Sequence, residues 1–157
     1  MPVPGCRHPI RNPFAQRLIG RIRRPLGDAF GLTRFGVNLT SLEPGGQSSL
    51  HHRHRNQDEF IYVLQGKPTL VTDKGENELC PGMCAGFAAN GGAHHLENRS
   101  DESVLILEVG DRASDDSVEY PLDDLEIKFL EGGDCIFSGK SGETLLNSLA
   151  SATEGGS

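Results

Sequence analysis

The sequence predicts an all-β chain, a sandwich or barrel, and three observations carry that expectation. Twenty glycines and nine prolines are spread between short runs of Val, Ile, Leu, Phe and Thr, the pattern of many strands joined by tight turns. Turn clusters such as Glu43-Pro44-Gly45-Gly46, Pro81-Gly82 and Asn90-Gly91-Gly92 separate strand-sized runs. Val104 to Val109, VLILEV, is apolar on both faces apart from Glu108 and reads as a buried central strand. At 157 residues the chain fits one domain that can bury most of its apolar surface without disulfides.

The organisation expected is a basic arm or short helix over residues 1–25, a β-barrel domain over 26–147 and a disordered tail over 148–157. Asn12 as cap, Pro13 in the first turn, and Phe14, Leu18 and Ile22 at spacing four predict an amphipathic helix that ends at Pro25. Its apolar stripe is expected to pack on the barrel or on a partner subunit. Its arginines are expected to be solvated.

Leu32 to Leu42 then reads as a strand bent at Gly36. Phe60 to Leu64 reads as a strand, Gly66-Lys67-Pro68 as a turn and Thr69 to Thr72 as the return strand, followed by short strands near Glu78 to Cys80, Cys84 to Ala88 and His94 to Asn98. After Val104 to Val109, the polar segment from Asp111 reads as a long loop with one edge strand at Val118 to Tyr120, since Pro121 follows. Glu126 to Leu130 and Cys135 to Phe137, separated by Gly132-Gly133, form a last hairpin. From Ser148 the chain has too little apolar content to pack.

A formal charge of −7 argues against general nucleic-acid binding, which needs a basic face for phosphates. Arg7, Arg11, Arg17, Arg21, Arg23 and Arg24 all precede the first acid, Asp28, yet this leader lacks the Ser and Thr of a transit peptide. No stretch resembles a secretory or membrane-spanning segment, so cytoplasmic residence is the expectation. Cys6, Cys80, Cys84 and Cys135 show no paired spacing and read as reduced thiols.

The chemistry concentrates in Gly46 to Gly66. Residues two apart on a strand share a face, so His52 and His54 project together while His51, Arg53 and Arg55 point the other way. Asn56-Gln57-Asp58 supplies a turn that can reset the register and bring Glu59 inward with Ile61 and Val63. Imidazole nitrogen and carboxylate oxygen suit a divalent transition metal such as Fe, Mn, Ni, Cu or Zn, with positions left open for a small ligand. Phe60, Tyr62 and Leu64 then form an apolar outer row that the other sheet, the amino-terminal helix or a second subunit must cover.

Gly46-x5-His52-x-His54-x4-Glu59-x6-Gly66 resembles the first motif of the cupin superfamily at every fixed position. His94-x3-Asn98 resembles the end of the second motif, with Ala88 and Asn90 where Pro and Gly are usual and one extra residue before the histidine. His94 and His95 both stand as the fourth ligand, with His94 favoured and His95 facing outward. RRPLGDAFGLTRFGVNL, DEFIYVLQG, GFAANGGAHHLENRS, LEVGDR and Tyr120-Pro121 further resemble one group of small single-domain bacterial cupins.

The resemblance implies a double-stranded β-helix jelly roll holding one divalent metal per chain, Asn98 in a structural role, and assembly as a homodimer. It permits oxygenation, isomerisation or epimerisation, and decarboxylation of a small oxygen-bearing substrate. The alternative it permits is a noncatalytic sensor that holds metal and a small ligand. Gln47, Tyr62 and Glu108 are the candidate substrate-binding residues, and they and His95 are the candidate bases.

Overall fold

The computed structural model describes residues 18–130, 135–139 and 141–147. In chain order it holds β1 (Arg21–Pro25), α1 (Leu26–Ala29), β2 (Phe35–Leu42), β3 (Arg53–His54), β4 (Glu59–Gln65), β5 (Thr69–Thr72) and β6 (Gly75–Glu78). There follow β7 (Cys84–Phe87), β8 (His94–Glu97), β9 (Val104–Asp111), β10 (Ser117–Tyr120), β11 (Leu125–Phe129), β12 (Cys135–Ser138) and β13 (Thr144–Asn147). The all-β jelly-roll expectation matches this architecture.

Three antiparallel sheets run in the orders β1-β2-β9-β4-β7, β13-β12-β11-β10-β3 and β6-β5-β8. The VLILEV run becomes β9, and it lies between β2 and β4 as its two-sided apolarity requires. Cross-strand partners share a face, so the register sets Leu42, Val104, Ile106, Ile61 and Val63 on one side of the first sheet. There they pack with Leu70, Leu79 and Leu96 of the region facing them, and with partly buried Ala85 and Phe87. A second cluster, Leu125, Ile127, Cys135 and Phe137, closes the other end, with Tyr120 and Phe129 against it.

Residues 21 to 25 are an edge strand and not the end of a helix. Arg21 pairs with Leu42 and Pro25 with Asn38, so the open edge of β2 takes up backbone groups that a solvated helix would satisfy alone. Pro25, which cannot donate, is tolerated because the strand is at an edge. Residues 12 to 17 of the expected helix lie outside the described residues, as does the tail from 148. The helical turn that is described, α1, comes after Pro25.

Val118 to Tyr120, expected at an edge, is flanked on both sides, for β10 pairs with both β11 and β3. The expected last hairpin, β11 with β12, is extended by β13, which the sequence did not announce. The reduced-thiol reading is corrected in part: Cys80 and Cys84 are free, but Cys135 is disulfide-bonded.

Two glycines explain why the histidine-bearing stretch is bounded as it is. Gly66 sits at φ +80°, and a Cβ there would lie 2.9 Å from the Ser103 oxygen and 3.0 Å from the Val104 Cα. A Cβ at Gly46 would meet the Glu43 oxygen at 2.9 Å and the Gly20 oxygen at 3.0 Å. Both ends of the stretch are pinned where another backbone passes too close for a side chain. Asn90 takes φ 57°, the left-handed conformation that glycine otherwise supplies.

Candidate metal centre

His52, His54, Glu59 and His94 converge inside the barrel. Nε2 of His52, His54 and His94 lies 3.3, 3.6 and 3.1 Å from Glu59 Oε2. The donor atoms of His52, His54 and Glu59 are all within 4.8 Å of one another. His52 and His54 come from the segment entering and forming β3, Glu59 opens β4, and His94 opens β8, where an isolated bridge pairs it with His52. The polar turn at Asn56 to Asp58 resets the register, and Asp116 Oδ1 accepts the Asn56 amide at 2.9 Å to hold it.

The hydrogen bonds behind the rings decide which nitrogen faces inward. Nδ1 of His52 lies 3.0 Å from the Leu50 carbonyl and 3.1 Å from the His94 carbonyl, and carbonyls only accept, so Nδ1 carries the proton of the neutral ring. His54 Nδ1 lies 2.5 Å from Asp116 Oδ2, with the same consequence. Both rings therefore aim an Nε2 lone pair at a carboxylate oxygen. Lone pairs facing a carboxylate repel, and a cation between them removes the conflict. Glu59 Oε2 is buried and makes no hydrogen bond of sound geometry, as a ligand atom would be left by this arrangement. The donor set thus fits a divalent transition metal.

The titration behaviour follows the same geometry. Burial opposes the charge on Glu59, yet in the metal-free chain hydrogen bonds from His52 and His94, when a proton sits on the facing nitrogen, hold its pKa well below the ordinary carboxylate value. Burial also depresses His94, against the pull of Glu59. His54 goes the other way: burial is overcome by the hydrogen bond to Asp116 and by the Glu59 charge, and its pKa is raised.

His95 projects from the opposite face of β8. It is buried and not solvated as expected: its Nδ1 is 3.0 Å from Nδ1 of His51, and its Nε2 is 2.9 Å from Glu97. His51 in turn reaches Asp73 at 3.0 Å. Gln47 lies on this side too, 3.3 Å from Glu97, beside a shallow pocket of about 260 Å³ away from the four converging side chains. Tyr62 is on the outer face of β4, 37% exposed between Phe60 and Leu64. Neither Gln47 nor Tyr62 is brought to the cluster, because strand alternation carries both away from the interior.

Glu108 does face the interior, where it accepts from Arg23 Nη2 at 3.0 Å and from the Thr40 hydroxyl at 2.6 Å. The arginines expected to be solvated are partly drawn in. Arg21 donates from Nη1 to the Ser48 carbonyl at 2.5 Å, and its pKa is lowered by burial and by Arg23. Tyr120 stacks on His52 with ring centroids 6.1 Å apart, and burial and the Glu59 charge push its pKa up.

Asp116, Tyr120, Arg21 and Arg23 were not singled out for the site by their spacing. Asp116 stands among Asp111, Asp115, Asp123 and Asp124 with no periodicity to separate it.

A narrow opening leads to the cluster. It has room for about 10 Å³ and is lined by His54, Glu59 and His94 together with Arg53, Gln57, Phe87, Ala88 and Gly92. The Phe87 ring stacks on His94 at a centroid distance of 3.4 Å.

Residues 38–110 match the family model of the cupin domain. A cupin-superfamily sugar phosphate isomerase from Silicibacter pomeroyi is 41% identical, covers 85% of each chain and superposes with a TM-score of 0.80. An Acidithiobacillus ferrooxidans protein with the provisional name sugar phosphate isomerase is 31% identical over 81% of each chain, with a TM-score of 0.75. A polyketide cyclase from Streptomyces resistomycificus is 26% identical over 59% of this chain and 66% of its own, with a TM-score of 0.53. No curated protein sequence matches the chain.

Proposed function

The chain belongs to the cupin superfamily, among its small bacterial members, and from that premise we propose that it is a metal-dependent enzyme acting on a small oxygen-bearing substrate. His52, His54, Glu59 and His94 hold one divalent transition metal in this reading. The observation that carries it is the convergence of three imidazole Nε2 atoms within 3.6 Å of one buried carboxylate oxygen. When bound, such a metal polarises a substrate oxygen and so acidifies neighbouring C–H or O–H groups.

Among the reactions open to such a site, isomerisation is favoured, because two relatives at 41% and 31% identity both carry the name sugar phosphate isomerase. In this reading the chain's own groups orient the ligands and exclude water. Asp116 fixes the His54 ring, and the Leu50 and His94 carbonyls fix the His52 ring. Tyr120, whose pKa is raised, keeps its phenol proton at neutral pH.

A homodimer is the proposed assembly. Phe60, Tyr62 and Leu64 are 40%, 37% and 44% exposed, and the register sets Leu105, Leu107 and Val109 on the same outer face. A second copy would cover this apolar sheet. Among the described residues no helix is long and apolar enough to cross a membrane.

The test is a panel of sugar phosphates, keto acids and diketones offered to the manganese, iron, nickel and zinc forms, with and without oxygen. Oxygen-independent turnover of a sugar phosphate is the expected result. Oxygen consumption would select a dioxygenase instead, and tight binding with no turnover of any compound would select the sensor.

A further inference from the structure

The opening to the histidine cluster holds about 10 Å³, the space of roughly one water molecule. A substrate can therefore pass one coordinating oxygen through it while the rest of the molecule stays on the rim. Recognition must then come from rim side chains, and Arg53 is the charged one among them that is not a candidate ligand.

Arg53 is unusually well prepared for that task. Its Nε and Nη2 both donate to Glu119 Oε2, at 2.7 and 2.5 Å, which leaves Nη1 unspent and the planar fork fixed. Arg55 donates in the same way to the other oxygen of Glu119. Two guanidiniums on one carboxylate leave a net charge of +1, and the low pKa of Glu119, set first by its bond to Arg53, keeps that carboxylate ionised. Asp73, an acid close enough to sense Arg53, is occupied by His51 and the Ala93 amide. The Arg53 side chain is still 41% exposed, and Gln57 beside it commits its amide to the Ala113 carbonyl, so its own oxygen can accept.

We propose that Arg53 is the anion-holding residue of this site: the substrate carries a phosphate or carboxylate that lies on the Arg53 guanidinium at the rim while a neighbouring oxygen enters the opening. Planar guanidinium recognises either oxyanion by charge-assisted hydrogen bonds. Arg53 is a positioning residue, and the proposal rests on the metal-site reading above.

The experiment loads the full chain with Mn²⁺, verifies bound manganese, and follows paramagnetic broadening of inorganic phosphate by phosphorus NMR and of acetate by carbon NMR. The two probes separate phosphate from carboxylate preference. Saturable broadening of one or both is expected in the wild-type chain, weakened about tenfold or more in Arg53→Gln and partly restored in Arg53→Lys. Arg55→Gln removes the same charge from Glu119 but does not line the opening, and it should bind within about twofold of wild type. Equal affinity in wild type and Arg53→Gln, with manganese content unchanged, would overturn the proposal alone. Equal weakening by Arg53→Gln and Arg55→Gln would also overturn it, since general charge would then explain the binding. Failure of the wild-type chain to hold manganese would overturn the metal reading and this proposal together.

Discussion

Asp116 Oδ2 lies 2.5 Å from Nδ1 of His54, whose opposite nitrogen faces Glu59 at 3.6 Å. A fully buried carboxylate thus sets the tautomer and orientation of a ring that reaches the interior. Asp116→Asn keeps an oxygen for the Asn56 amide but can no longer compel the Nδ1 proton. Metal affinity should fall about 10- to 100-fold, measured by competition with a chelator, with the fold retained. An unchanged affinity would show that His54 is not oriented for metal.

Gly66, which bounds the site, and Gly45, which adjoins the other bounding glycine, give a graded test of backbone constraint. Gly66 and Gly45 have nearly the same φ, +80° and +79°, but a Cβ at Gly45 would meet nothing within 4 Å. Gly45→Ala should cost about 1 kcal/mol for the left-handed conformation alone. Gly66→Ala adds contacts at 2.9 Å with neighbouring backbone and side chain and should cost about 2 to 4 kcal/mol, read by urea unfolding.

Acid should weaken the metal-free fold before the carboxylates titrate. His94 and His95 are depressed first by burial below the ordinary value of 6.5, so the unfolded chain takes up protons more readily than the folded one as pH falls through that value. Their stabilisation is present above about pH 6.5 and is lost below it. His54 is raised, so its contribution has the opposite sign and fades as pH rises. The depressed pair predicts a melting temperature that drops between pH 7 and 5.5, with His54 opposing it, and calorimetry of the metal-free protein checks the slope.

The apolar outer face makes a prediction about assembly. Leu107 lies between Tyr62 and Leu39 on that face, so Leu107→Asp should leave the interior register intact and shift the protein to monomer in sedimentation. A wild-type chain that sediments as a monomer at all concentrations would refute the dimer.

Much of this was legible in the residues, and the reasons are specific. β9 was readable because VLILEV has no polar face, and the spacing from Gly46 to Gly66 was readable because strand alternation and close backbone passage leave little choice of residue. The strand at Arg21–Pro25 was not, because its period-two pattern is written in arginines whose inward members find Glu108 and the Ser48 carbonyl as acceptors, partners 85 and 27 residues away. Asp116 was hidden for a similar reason: only the pairing of β10 with β3 brings that part of the chain to His54. The burial of His95 is not legible locally because it depends on His51 and Glu97 on the far side of the strand.

If His52, His54, Glu59 and His94 hold one metal ion, elemental analysis of untagged protein finds it. About one equivalent of a divalent transition metal per chain is expected in the wild-type protein and a large loss in both His52→Ala and His94→Ala. Near-stoichiometric metal retained in both folded variants would contradict the account.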